Sequence, residues 1–201
     1  KSQKRVGGVG RTRAAMCMLR AQAIIAGVAA GVLGIDPFDP NLVQPASVDV
    51  RLGADLLVPH PSPYSAVRPG SGFTPRYDPR RLDYNYRLLP GAFILCQTLE
   101  RIRLPANIQG KLEGKSSLGR IGLMTHITAG FIDPGWDGVL TLELHNVGPW
   151  AIELWLGMKI GQISFTRLDR PAARPYGSPG LGSHYQGATT TQGIANYESR
   201  Q

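Results

Sequence analysis

Apolar and polar residues alternate over much of this chain, the period expected of strands that bury one face. Residues 47–52 read Ser-Val-Asp-Val-Arg-Leu, the pattern of a half-buried strand. In residues 139–146, Leu140, Leu142 and Leu144 share one face and are expected to enter the core. Thr141, Glu143 and His145 share the other face, which makes Glu143 an accessible acid among polar neighbours. Further strands are predicted over 93–102, 151–156 and 159–165, cut by Pro105, by Gly148-Pro149 and by Gly157. Many short strands with closely spaced turn signals indicate an all-β sandwich, jelly roll or barrel. Two stretches break the pattern. Residues 59–81 hold six prolines and read as an extended surface excursion. The apolar run 23–33 follows basic residues and predicts a short surface helix over about 19–31. At 11 residues that run is too short to span a bilayer, and a surface helix fits it better than an export signal. From Tyr176 onward Gly, Ser, Thr and Gln dominate, which predicts a mobile tail that orders on binding.

Length changes this picture little: 201 residues suit one domain with a real core. The net charge of +8 suggests a nucleic-acid partner, but its distribution argues against specific binding. Lys1, Lys4, Arg5, Arg11, Arg13 and Arg20 crowd the first twenty residues; without these six the net charge is +2. Only two cysteines occur, Cys17 and Cys96, too few for a disulfide framework or a zinc site. A reducing cytoplasm is therefore the expected compartment. The Cys-x-x-Cys pair of zinc-dependent base deaminases is missing.

The chemistry concentrates in three motifs. Gly114-Lys115-Ser116-Ser117-Leu118-Gly119-Arg120 supplies cations, hydroxyls and backbone N–H groups, the donors a polyphosphate needs. It nearly completes a Walker A loop from Gly110, but three residues separate the glycines where four are required. The segments around Asp133 and Glu143 each add a carboxylate, which repels phosphate unless chemistry or a metal requires it. On the residues alone, Asp133 reads first as the capping acid of an Asp-Pro-Gly turn, and Glu143 first as a solvated acid on an outer strand face.

Residues 114–120, 125–135 (Thr-His-Ile-Thr-Ala-Gly-Phe-Ile-Asp-Pro-Gly), 141–144 and 157–162 together resemble the dCTP deaminases of the dUTPase superfamily. The likeness extends to residues 33–38, 44–52, 171–177 and 184–186, covering about 18–187. It implies an all-β, distorted barrel or jelly-roll domain over 18–175 with a short N-terminal helix, and a flexible lid over 176–201. Met18 is then the expected natural start, with residues 1–17 a basic extension outside the domain. The resemblance further implies a homotrimer with active sites between subunits, no membrane or specific nucleic-acid partner, and deamination without zinc.

By the same resemblance, Glu143 is the proton shuttle, partly buried, and Ser116 and Arg120 help hold the water and polarise the base. Lys115, Ser117, Leu118 and Gly119 belong to the nucleotide cradle, and Thr141 and Leu142 read the pyrimidine edge through backbone groups. Gln162, Tyr176 and His184 match nucleotide-contacting positions, and Mg²⁺ is expected on the triphosphate. Gly130 and Phe131 resemble the members that carry dUTP on to dUMP, where deaminase-only members often have His-Arg. Asp133 would then orient the water that attacks the α-phosphate. Two positions depart from the pattern: His184 stands where the family has Lys or Arg, and Ala188 where a Gln often follows. The implied activity is deamination of dCTP to dUTP, followed by hydrolysis to dUMP and diphosphate. A deaminase that stops at dUTP and a nucleotide sensor of the same fold remain the alternatives.

Overall fold

The computed structural model describes residues 16–60 and 75–194. The chain opens with strand β1 (Cys17–Met18), helix α1 (Ala21–Ala29) and strand β2 (Gly34–Asp36), followed by a 3₁₀ turn at Pro40–Leu42. Strands β3 (Val43–Gln44), β4 (Ser47–Arg51), β5 (Asp55–Pro59), β6 (Tyr77–Arg81) and β7 (Asn85–Leu88) come next. Then follow β8 (Phe93–Arg103), β9 (Ile108–Gly114), the one-turn helix α2 (Ser116–Gly119), β10 (Leu123–Met124) and β11 (Phe131–Ile132). The last elements are β12 (Asp137–Asn146), β13 (Ile152–Trp155) and β14 (Lys159–Arg167).

The strands form two six-stranded sheets and one two-stranded sheet. One large sheet runs β11-β9-β14-β4-β3 with β1 added to β14; the other runs β10-β12-β8-β5-β6 with β2 added to β8. All the pairings are antiparallel, and β7 pairs separately with β13. Among the described residues a single bridge, Leu52 to Thr98, joins the two large sheets at one corner, so the barrel is open and distorted. Between them lies one core that includes Leu52, Ile94, Ile102, Leu142, Leu144, Ile163 and Phe165. Burying each such side chain contributes about 1.5–3 kcal/mol before chain entropy is counted.

Helix α1 forms where the alanines and isoleucines predict it, two residues shorter at each end. Gly31 ends it with φ of +67°, and Leu33 donates its N–H back to the Gly27 carbonyl, which seats Leu33 in the core. Strand β1 pairs Cys17 with Arg167 and Met18 with Thr166 through backbone groups. Two expectations are corrected. The prolines of 59–81 do not keep that whole stretch out of the sheets: Pro59 ends β5, and Tyr77–Arg81 returns as its hairpin partner. The centre of that excursion lies outside the described residues. Finally, Ser47–Arg51 is not a strand with one wet face, since Val48, Asp49 and Val50 are all buried. Strand β4 lies inside its sheet, and two lysines cover Asp49 from the other side.

Candidate active site

Strand β12 carries the first group of site residues. Its alternation sends Leu140, Leu142 and Leu144 into the core and leaves Thr141, Glu143 and His145 half-buried on the opposite face. Leu142 thus has only backbone groups to offer a ligand. Glu143 Oε2 accepts the Ile127 backbone N–H at 2.9 Å. The segment that supplies this donor is clamped at both ends. Thr125 Oγ1 donates to the Ile160 carbonyl at 3.0 Å, and the Leu112 N–H donates to the Gly130 carbonyl at 2.7 Å. A carboxylate oriented by a fixed amide is pre-aimed, which is what a proton-transfer group requires.

Glu143 and Thr141 line a cavity of about 390 Å³. Its other walls are mainly apolar, from Phe93, Leu95, Phe131, Ile132, Trp136 and Leu140, with Ala188, Gln192 and Gly193 closing one side. An apolar slot with a few convergent polar groups suits a planar heterocycle. The tail reaches this wall because Val139 N–H donates to the Ala188 carbonyl and Gly187 N–H to the Asp137 carbonyl. Ala188 is buried as a result, an anchor invisible in the tail's composition.

Asp133 lines a second cavity, of about 310 Å³, with Pro134, Arg174, Tyr176 and Ser183. The turn around it closes through its backbone carbonyl, which accepts the Trp136 N–H, and Gly135 supplies the positive φ of +91°. Trp136 lines the first cavity and Tyr176 the second, and their rings meet at 5.3 Å, so this pair partitions the two. The Tyr176 hydroxyl also accepts the Tyr185 N–H. His184 is exposed, and its ring stands edge to face with that of Tyr185, centroids 6.2 Å apart.

The cradle residues lie elsewhere. Ser116, Ser117, Gly119 and Arg120 are exposed on and just after α2, while Leu118 turns toward the core. Lys115 is not a free cation: its Nζ donates to Asp49 Oδ1 at 2.6 Å, and Asp49 is only 2% exposed. Lys159 Nζ approaches the other oxygen of Asp49 at 3.5 Å. Gln162 braces the base of the loop, accepting from Ser47 Oγ at 3.1 Å and donating to the Gly114 carbonyl at 3.5 Å. No residue of 115–120 lines either cavity. One chain therefore brings Thr141, Glu143 and Phe131 together, sets Asp133 and Tyr176 next door, and presents the cradle on a separate surface.

Gly130 has no room for a side chain. A Cβ there would stand 2.7 Å from the Leu112 carbonyl oxygen and 3.0 Å from the His126 ring. The neighbours that motif reading overlooks are Asp49, Ser47, His126, Trp136 and Arg174. His126 Nδ1 is buried with no partner among the described residues, although the ring sits against Gly130. An acid inside the apolar alternation of β4 was the one available signal for Asp49. Among the described residues, no three or more His, Cys, Asp or Glu side chains are grouped to hold a metal ion. No helix among them is long and apolar enough to cross a membrane.

Known proteins resemble this chain closely. The model of the family described as dCTP deaminase-like matches residues 18–168. The protein named "dCTP deaminase, dUMP-forming" of Mycobacterium ulcerans is 52% identical over 163 residues, 80% of this chain and 85% of its own length. Those of Mycolicibacterium vanbaalenii and Corynebacterium efficiens bear the same name and are 51% and 49% identical, covering 85% of this chain and 90% and 91% of theirs. Among solved structures, the 2'-deoxycytidine 5'-triphosphate deaminase of Agrobacterium tumefaciens aligns with a TM-score of 0.61 and 27% identity over 76% of this chain. The chain spans about half the length of that structure, 48%. With half of its residues shared along most of its length, the chain belongs to the dCTP deaminase-like family.

Proposed function

We propose that the protein deaminates dCTP to dUTP and hydrolyses the product to dUMP and diphosphate. The observation that carries this reading is the pair of adjoining cavities. One holds Glu143 in apolar walls that suit a pyrimidine, and the other holds Asp133 beside Arg174, which suits a phosphate. In the first step the Glu143 carboxylate takes a proton from water, and the hydroxide attacks C4 of the cytosine. Glu143 passes that proton to N3, then takes the proton of the new C4 hydroxyl and gives it to the amine; the C4–N4 bond breaks as the carbonyl forms, and the amine leaves as ammonia. General acid–base catalysis of this kind supplies about 10²- to 10⁴-fold in rate. In the second step Asp133 orients a water against the α-phosphate, and diphosphate departs. The closed packing of Gly130 on Leu112 supports the dUMP-forming type, since a histidine at 130 requires the segment to move.

The cradle of Lys115, Ser116, Ser117 and Arg120 reaches the nucleotide across a subunit boundary in this reading, within a homotrimer. Support comes from its absence from both cavities and its exposed hydroxyls and guanidinium. Ser116 and Arg120 hold the water and polarise the base there. Mg²⁺ arrives with the triphosphate: it favours phosphate oxygens and water, and the Asp133 cavity offers a single carboxylate. The cytoplasm is the compartment this reading adopts, in keeping with free thiols at Cys17 and Cys96.

Incubation with dCTP and Mg²⁺, resolving ammonia, dUTP and dUMP, tests the proposal. Equal release of ammonia and dUMP is expected, and Glu143→Gln should abolish both while the protein stays folded. Accumulating dUTP rejects the second step, and nucleotide binding without ammonia rejects the enzyme in favour of a sensor.

A further inference from the structure

The tail that walls the Glu143 cavity is fastened at a place with no part in the chemistry. Asp55, at the start of β5, accepts the Thr190 hydroxyl on Oδ2 at 2.9 Å. Its backbone carbonyl accepts the Thr191 hydroxyl at 2.6 Å. The same carboxylate is held from the sheet side by Arg81 Nη1 on Oδ1 at 3.1 Å and by Gln97 Nε2 on Oδ2 at 3.4 Å. From this fastening the tail proceeds directly into the cavity wall: the Gln192 N–H donates to Thr141 Oγ1 at 3.1 Å, two residues along β12 from Glu143. Thr191 is buried, and Gly193 lies against the Tyr77 ring.

We infer that Asp55 is a positioning residue for the reaction: it latches Thr190 and Thr191 so that residues 192–194 complete the wall of the pyrimidine cavity. The inference rests on the function proposed above for that cavity. Two features favour a latch over incidental surface contact. The carboxylate is held by Arg81 and Gln97 through contacts that do not involve the tail, which makes it a preset acceptor rather than a mobile one. The two threonines engage the side chain and the backbone of one residue, and their branched Cβ atoms restrict χ1, which reduces the entropy lost on docking. Upstream the tail is held on β12 by Gly187 and Ala188, so the Asp55 latch bears on the residues that follow it, 192–194.

The test compares wild type, Asp55→Ala, Asp55→Asn, Thr190→Val and the Asp55→Ala/Thr190→Val double variant. Steady-state ammonia release from dCTP gives KM and kcat, at a temperature where melting curves show all five folded. Hydrogen exchange of amides 188–194 in the nucleotide-free protein gives a second readout that needs no activity. Losing a hydrogen bond to a charged acceptor predicts about a tenfold rise in KM for Asp55→Ala. kcat should stay within about twofold, because the Ile127 amide still holds Glu143. Asp55→Asn keeps an acceptor and should recover part of the loss. Thr190→Val should add little on the Asp55→Ala background, and exchange at Gln192 should rise about tenfold. Unchanged exchange, an unchanged KM, or additive effects of the two substitutions would overturn the latch. Wild-type protein that releases no ammonia defeats the functional reading instead, and leaves the exchange comparison to decide the latch.

Discussion

Replacing Gly130 with alanine examines the packing that aims Glu143. The φ of Gly130 is not in the left-handed region, so the substitution tests space rather than backbone strain. The added methyl would stand 2.7 Å from the Leu112 carbonyl oxygen, a contact real Cβ atoms do not make. The obstacle is backbone within a paired strand and cannot swing aside as a side-chain tip would. The 126–131 segment must therefore retreat by roughly half an ångström, at the 1–3 kcal/mol typical of overpacking. For a chain of this size, each kcal/mol lowers Tm by about 2–4 °C, so a loss of roughly 2–12 °C is expected. The same retreat lengthens the 2.9 Å bond from Ile127 to Glu143 to the edge of hydrogen-bonding range. Misplacing a catalytic group by about 1 Å costs on the order of 10²-fold, so half that displacement predicts about a tenfold fall in kcat for ammonia release. Differential scanning calorimetry and an ammonia assay measure the two effects. Gly27→Ala is the control. It lies within α1, where a Cβ would meet Leu33 Cβ at an ordinary 3.5 Å, and it should stabilise by about 0.5–1 kcal/mol. A Gly130→Ala protein with wild-type Tm and kcat would refute the claim that this contact sets Glu143.

Two further outcomes follow from the ion pairs. Lys115→Met leaves the buried Asp49 carboxylate with Lys159 alone, which should cost about 2–3 kcal/mol in denaturant unfolding and weaken nucleotide binding; unchanged stability would show that Lys159 suffices. Arg101 holds the Asp137 carboxyl below its usual range, first through their 2.7 Å hydrogen bond, so the pair contributes stability above the carboxyl's unfolded value of about 3.9. That contribution disappears as pH falls through the lower folded value. With the two groups 43% and 34% exposed, Arg101→Met should cost no more than about 0.2–1 kcal/mol at neutral pH and progressively less as acid protonates Asp137; a penalty that does not shrink in acid would contradict the pairing.

Much of the site was legible because its signals are local. Period-two alternation separates Leu140, Leu142 and Leu144 from Thr141, Glu143 and His145 without reference to anything distant, and β12 obeys it. The same alternation misread β4, where burial on both faces comes from neighbouring strands and from Lys115, 66 residues away. The short strands β2, β3, β10 and β11 were not predicted, because two or three residues carry no period to detect. Motif spacing drew attention to 114–120 and to Asp133 but did not show that Lys115 is spent on Asp49. The low-complexity tail predicted mobility because its anchors are backbone groups and threonine hydroxyls, which composition counts as merely polar.

By itself, the sequence determined the strand-rich class, the face on which Glu143 stands, and the family. Tertiary structure alone decided that Ile127 aims Glu143 and that Gly130 has no room beside Leu112. It also decided that the Trp136 and Tyr176 rings meet where one lines the Glu143 cavity and the other the Asp133 cavity, and that Asp55 accepts the Thr190 hydroxyl of the tail. The division has one physical cause. Periodicity and turn chemistry are short-range properties that a few consecutive residues express. A hydrogen bond between Asp55 and Thr190 depends on how two sheets and a tail close on each other, which no stretch of chain records.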